Sequence, residues 1–223
     1  MSEARPHYMP EPDGHAAARA AMVRDQIAAR GIANPAVLAA MRDVPRHAFV
    51  PADERSRAHA DAPVPLGHGQ TVSQPFIVAL MTELARPAPS DRALEIGTGS
   101  GYQAAVLSTL VNHVYSVEVI DDLATSARDR LARLGFGNVT IRPGDGALGW
   151  PELAPFGVIL VTAAPREVPP ALVAQLGPGG RLVIPVGPAG ATQYLKVIEK
   201  DAAGTISERT VIPVRFVPLV RGA

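Results

Sequence analysis

The chain has 223 residues, enough for one large domain, and its 47% hydrophobic and 19% charged residues describe a protein with an ordinary buried core. The 21 basic residues balance 21 acidic ones, and cysteine is absent. There is thus no basic excess to draw nucleic acid or an anionic membrane, and no thiol for disulfides, covalent catalysis or cysteine-based zinc binding.

Residues 1–14 hold three prolines and a glycine and are expected to form a loose tail ahead of a single domain over 15–223. No apolar signal-like stretch or membrane-length run is visible, so a cytoplasmic protein is expected. From His15 to Arg30 the alanine-rich stretch "HAAARAAMVRDQIAAR" predicts a helix with Met22, Val23 and Ile27 as its apolar stripe, stopped by Gly31. Asn34 and Pro35 are the N-cap and first residue of a second helix that Pro45 ends. Residues 51–75 carry many turn formers and predict a long functional connection. It closes with "GHGQTVSQP", residues 67–75, where Ser73 has neither a G-x-S-x-G elbow nor an evident base. Pro75 opens the helix "PFIVALMTELA", and residues 15–87 thus form an N-terminal helical part with a loop.

From residue 91 the pattern changes to strand–helix alternation. Buried strands are predicted at "RALEIG", "HVYSVEV", "NVTIRPGDG", "FGVILVTAA" and "GGRLVIPVG", and helices at "SGYQAAVLSTLV", "DDLATSARDRLARLG" and "PPALVAQLG". Two late strands, "TQYLKVIEK" and "ISERTVIPVRFVPL", flank the turn "DAAGT". Near-continuous apolar strands alternating with helices imply an α/β fold, a doubly wound and mostly parallel sheet flanked by helices, with an antiparallel pair at the end.

The chemistry concentrates where the first of these strands ends. In "ALEIGTGSGYQAA", Gly97, Gly99 and Gly101 follow Ile96 and lead into a helix, and Glu118 ends the next strand about 20 residues on. Glycines there permit a tight turn and close backbone approach, and the carboxylate can accept from both hydroxyls of a ribose. The third glycine comes one residue too early for a dinucleotide fingerprint, which argues against a nicotinamide-linked oxidoreductase. Glu95, just before the loop, suits a cationic ligand such as S-adenosylmethionine better than a pyrophosphate. Asp145, in "GDG" after the third strand, can accept from an adenine amino group. A G-x-G-x-G run alone is also what any tight strand–helix turn needs; Glu95, Glu118 and Asp145 at successive strand ends make a cofactor site the better reading. The six histidines show neither H-x-x-x-H nor H-x-H spacing, so no metal site is expected, and His47 reads as a packed or capping residue. Trp150 is expected to pack at the sheet edge, and the charges of "SARDRLARLG" to form a solvated helix face.

With these pieces placed, the chain resembles the protein-L-isoaspartate O-methyltransferase family from about Met22 to Leu219. The motifs are "VPRHAFVP", "GHGQTVSQP" with "FIVALMTELA", "LEIGTGSGYQAAVL", "VYSVEV", "GDGALGW", "VTAA", "GGRLVIPVG" and "VRFVPL". The glycine loop is common to many methyltransferases; "GQTVSQP" with the closing "RFVPL" is far more specific. The resemblance implies a Rossmann-like class I methyltransferase core over 91–223 and methyl transfer from S-adenosylmethionine to the α-carboxylate of isoaspartyl residues in damaged proteins and peptides. The ester then returns to a succinimide and gives aspartate another chance to form. It implies that Gly97, Thr98, Gly99, Gly101, Glu118, Asp145 and Gly146 hold the cofactor. Gln70, Thr71, Val72 and Ser73 would close over its methionine end, with Ser73 as the active-site serine. Val214, Arg215, Phe216 and Val217, together with Ser73, would meet the substrate peptide. A monomer is expected. Two departures stand out: Gly157 where the family carries an acidic residue, and "AHAD" (58–61) where it carries "AYED". Methylation of aspartate in a biosynthetic peptide is the alternative, but relatives of that kind carry an extra C-terminal domain for which the chain leaves no room. A non-catalytic binding module sits poorly with two intact loops.

Overall fold

The computed structural model describes residues 14–222, so the expected tail, apart from Gly14, lies outside the described residues. Helix α1 (Ala16–Ala21) continues as a π-helical turn at Met22–Ile27 and a 3-10 turn at Ala28–Arg30. Gly31 stops it with φ +95°, a left-handed conformation that glycine adopts without a Cβ clash. Helix α2 (Pro35–Asp43) starts as its sequence predicts: Asn34 is extended, and its Oδ1 accepts from the amides of Ala36 and Val37 at 2.9 and 3.3 Å. Such a cap contributes roughly 1 kcal/mol.

The long connection is more structured than its composition suggests. Two 3-10 segments, Arg46–Phe49 and Ala52–Arg57, precede a hairpin of β1 (Val64–Gly67) and β2 (Gln70–Val72). The hairpin turns on His68 (φ +52°) and Gly69 (φ +70°), the paired left-handed residues whose twist suits a two-residue connection. Helix α3 (Pro75–Ala85) follows directly.

A seven-stranded sheet fills the remainder. Its strands are β3 (Arg92–Ile96), β4 (His113–Glu118), β5 (Val139–Pro143), β6 (Phe156–Val161), β7 (Leu176–Val186), β8 (Gln193–Lys200) and β9 (Ile206–Val214), in the order β5-β4-β3-β6-β7-β8-β9. Pairing is parallel from β5 to β7 and antiparallel for β7–β8 and β8–β9. Helices α4 (Tyr102–Ser108), α5 (Asp121–Arg133) and α6 (Pro170–Ala174) connect the strands. The chain winds outward from β3 to β5, then crosses back to lay β6 on the other side of β3. That reversal opens a crevice at the carboxyl ends of β3 and β6, where open α/β sheets bind ligands.

The centre of the sheet is buried on both faces, which is why β6 reads as a near-continuous apolar run, while β9 at the edge is largely exposed. Met81, Ala93, Ala104 and Leu107 share one core cluster, and Leu94, Ile96, Ile159 and Leu182 another. A third cluster joins Met22, Ile27, Met41 and Phe49 of the N-terminal layer to Val72, Phe76, Tyr102 and Leu131. Each such large side chain contributes roughly 1.5–3 kcal/mol on burial, so the N-terminal layer is packed onto the hairpin, α3 and the start of α4.

Two elements differ from their sequence reading. Helix α6 is a short Pro170–Ala174 segment. The last strand ends at Val214 rather than Leu219. The partner strand β8 begins at Gln193, opposite Val214, so residues 215–219 leave the ladder and dock instead on Ala164. The Ala164 amide donates to Val217 O (2.8 Å) and the Leu219 amide to Ala164 O (2.9 Å).

Candidate active site

The crevice at the switch point is a cleft at the carboxyl ends of β3 and β4 and beside the residues that follow β6, where open α/β sheets bind nucleoside-bearing ligands. Its walls include the β2 strand with Ser73, the glycine loop after β3, the end of β4 with Glu118, Gly146, Thr162 and Ala163 after β6, and the C-terminal segment 217–220.

The glycine loop owes its shape to its residue types. Gly97, Gly99 and Gly101 have φ of +88°, +53° and +85°. At Gly97 an added Cβ would stand 2.6 Å from Thr162 Oγ1. That hydroxyl is itself fixed, donating to the carbonyls of Gly97 (2.6 Å) and Ile96 (3.1 Å). Gly146 is required for space, since a Cβ there would meet Ile96 Cγ2. Gly97, Thr98, Gly99 and Gly146 line the cleft; Gly101 lies behind them and forms the N-terminal end of α4.

Glu118 lines the cleft as its single carboxylate among the described residues. Its Oε2 accepts from Gly99 N (2.8 Å) and its Oε1 from Ile120 N (3.0 Å), which holds the carboxylate in the bend between β4 and α5. A carboxylate has about four lone-pair sites, so two remain for the vicinal hydroxyls of a ribose. The free acceptor sites of Glu118 therefore fit the ribose of the nucleoside part of S-adenosylmethionine.

Besides Gly101, two further expected cofactor residues, Glu95 and Asp145, do not reach the cleft wall. Alternation along β3 turns Glu95 to the face opposite Leu94 and Ile96, and its carboxyl is fully buried. Ser116 Oγ donates to Glu95 Oε2 (2.5 Å) and shares a further bond with Thr98 Oγ1 (2.6 Å), while Glu95 Oε1 has no partner. Burial pushes the Glu95 carboxyl up to about 8, opposed by the Ser116 hydroxyl and reinforced by the Glu118 charge. The sequence argument supposed an anion facing the ligand; here the group supports the glycine loop from beneath and is largely neutral at pH 7. Asp145, the expected adenine contact, caps the following turn through Ala147 N (2.9 Å) and pairs with Arg221 Nε (2.9 Å).

Gln70, Thr71, Val72 and Ser73 all line the cleft, opposite the glycine loop. Arg46 fixes Ser73 from behind. Its guanidinium is wholly buried, lies 4.7 Å from the Tyr102 ring centre, and donates to the carbonyls of Ala58 (2.7 Å) and Ser73 (2.8 Å). Gln74 Nε2 adds a bond to Asp61 O (3.1 Å). Within the C-terminal segment only Val217 of the four expected residues touches the cleft, joined by Pro218, Leu219 and Val220. Val214, Arg215 and Phe216 lie outside the wall. Gln193, buried in β8, clamps the segment by accepting from Phe216 N (2.6 Å) and donating to Phe216 O (3.1 Å).

Sequence reasoning missed Arg46, Gln193, Thr162 and Arg130. Arg130, expected on a solvated face, donates to Ser100 O (2.9 Å) and braces the glycine loop. None of the four forms a local motif with the loop it supports, so no spacing rule could have found them. Trp150 likewise gained partners, with Arg142 4.3 Å from its ring centre and Tyr115 packed edge-on. Gly157 lies near the start of β6, roughly 13 Å of strand from the cofactor edge. The Asp91 carboxylate fills the space beside it, so that departure stays remote from the cleft.

The model for the family described as protein-L-isoaspartate(D-aspartate) O-methyltransferase matches residues 17–223. The protein-L-isoaspartate O-methyltransferase 2 of a Polaromonas species is 56% identical over 82% of this chain and 87% of its own. The corresponding protein of Opitutus terrae is 56% identical over 90% of this chain and 85% of its own. A solved structure named protein-L-isoaspartate O-methyltransferase superposes with TM-score 0.80 at 29% identity, covering 90% of this chain and 65% of that longer one. A Plasmodium falciparum structure, described as such a methyltransferase in complex with S-adenosyl-L-homocysteine, gives TM-score 0.77 at 26% identity, covering 92% and 99%. This chain belongs to the protein-L-isoaspartate(D-aspartate) O-methyltransferase family.

Proposed function

We propose that the chain uses this cleft to methylate the free α-carboxylate of L-isoaspartyl residues in damaged proteins and peptides, the first step of their return to aspartate. The observation that carries the reading is Ser73 on one wall and the glycine loop with Glu118 on the other, in a cleft without histidine or lysine among its described lining residues. S-adenosylmethionine, when bound, supplies a methyl group on a sulfonium. The substrate carboxylate is already ionised at neutral pH, so no general base is needed. What the protein must provide is alignment and exclusion of water.

Gly97, Thr98, Gly99 and Gly146 let the backbone approach the cofactor, and Glu118 accepts from the ribose hydroxyls. Gln70, Thr71 and Val72 cover the methionine end, and Ser73 Oγ donates to the substrate carboxylate and orients it. Asp145 takes the adenine amino group by exchanging its Arg221 partner. Glu95 and Gly101 act through the loop they support. Residues 214–217, held by Gln193, lie along the substrate peptide. We place the protein in the cytoplasm as a monomer built from a single domain over 15–223. No described helix is long and apolar enough to cross a membrane.

The deciding assay is labelled methyl transfer to matched peptides carrying isoaspartate or aspartate at one position. Transfer to the isoaspartyl peptide alone is expected; no transfer, or equal transfer to both, overturns the reading. Ser73→Ala should lower kcat/KM by about 100-fold, the scale of losing one oriented hydrogen-bond donor. Its affinity for S-adenosylhomocysteine should be unchanged, and full activity would remove the positioning role.

A further inference from the structure

Three histidines with no ligand spacing in the sequence meet in the N-terminal layer. His15 precedes α1, His47 lies in the 3-10 segment Arg46–Phe49, and His59 follows the segment Ala52–Arg57. The rings of His15 and His47 stack with centroids 4.0 Å apart, and His59 lies 5.6 and 6.2 Å from them. One ring nitrogen from each comes within 4.8 Å of the other two. All three side chains are half-buried, and none lines the cleft.

We propose that His15, His47 and His59 form a binding site for one divalent transition-metal ion of the zinc type, with solvent as the fourth ligand. Zinc–imidazole bonds of about 2.0–2.1 Å place tetrahedral donors roughly 3.4 Å apart. The widest present separation exceeds that by little more than 1 Å, within reach of side-chain rotation. His59 Nε2 is buried and has no hydrogen-bond partner, so an ion would satisfy an atom the protein leaves unpaired. Burial first, then the neighbouring His15, His47, Arg19 and Arg46, hold the His59 ring down to about 4.

The same arginines repel any dication. This selects for metals with high intrinsic affinity for imidazole, and against magnesium and calcium, which prefer oxygen ligands. Both guanidinium groups are held by carbonyls: Arg19 Nε donates to Arg42 O (2.8 Å), and Arg46 donates to Ala58 O and Ser73 O. The site is structural in character. Ala58 O, one residue before His59, is bonded to the arginine that also holds Ser73. An ion here would therefore tie the start of α1 to the support of the active-site loop.

The test is isothermal titration of the tag-free full chain with ZnCl₂ and, separately, MgCl₂, with Co²⁺ absorption as the probe of geometry. One Zn²⁺ per chain, no saturable Mg²⁺ binding and the visible bands of tetrahedral Co²⁺ are expected. His59→Tyr, which fills similar space, should weaken Zn²⁺ binding by more than about tenfold while its circular dichroism stays that of the parent. His47→Gln gives the same comparison should the first variant fold poorly. The proposal is overturned by the lack of any saturable Zn²⁺ site, or by an affinity that both substitutions leave unchanged. Neither result bears on methyl transfer, so this proposal and the assigned activity fail independently.

Discussion

Arg46→Met is the most direct test of how the active-site loop is held. Methionine fills comparable space but carries no donor. The change leaves Ala58 O and Ser73 O, now at 2.7 and 2.8 Å from the guanidinium, without their donors. Each orphaned carbonyl costs about 1–3 kcal/mol when buried, and the contact with the Tyr102 ring at 4.7 Å is lost as well. Against this, burial already opposes the charge, lowering the Arg46 pKa, and Nη1 has no partner, so removing the cation recovers some desolvation energy. The net expectation is a loss of about 2–4 kcal/mol in urea unfolding. With Ser73 released from its anchor, kcat/KM for an isoaspartyl peptide should fall by about 100-fold, the scale of a 1 Å misplacement. Glu118 and the glycine loop make no hydrogen bond to Arg46, so S-adenosylhomocysteine affinity should hold. A variant as stable as the parent would refute the energetic reasoning, and a destabilised variant with full kcat/KM would refute the positioning role.

Two further outcomes follow from the same geometry. Gln193→Leu removes both bonds to the Phe216 backbone, so the segment that borders the cleft should loosen. KM for peptide should rise several-fold while kcat and cofactor affinity change little, and an unchanged KM would separate Gln193 from substrate binding. The second concerns Glu95. A buried carboxyl whose pKa is raised to about 8 binds its proton more tightly folded than unfolded. Its contribution is therefore fully present below about pH 4.5 and is lost as pH rises towards 8. Glu95→Gln should remove that dependence, so its stability relative to the parent should grow between pH 5 and pH 8 by a few kcal/mol and then level off. Urea melts across this range give the answer; a constant difference would mean that the carboxyl does not titrate in the window.

Much of this protein is legible in its sequence because the signals are local. Asn34 with Pro35 marks a helix start wherever it falls, and the glycines at 97, 99 and 101 need left-handed backbone that other residues resist. Strand–helix alternation implies the parallel sheet, and the topological switch point then places Glu118 and the glycine loop in one crevice. Ser73 was readable as a serine without a base, and the chemistry of an ionised substrate explains why it needs none. What lay beyond the sequence are contacts between distant segments. Arg46 reaching Ser73, Gln193 holding Phe216 and Arg130 bracing Ser100 span 27, 23 and 30 positions. Glu95 shows the limit from the other side: its position beside the loop was evident, but the pleat of β3 turns it away from the cleft, and burial then removes the charge that the sequence argument assigned to it. His15, His47 and His59 form a cluster only because α1, the Arg46 segment and the 58–61 loop pack into one layer. Residue type and spacing determine local conformation and the chemistry a segment offers; only packing decides which segments meet, and with that, which groups are charged, anchored or ligated.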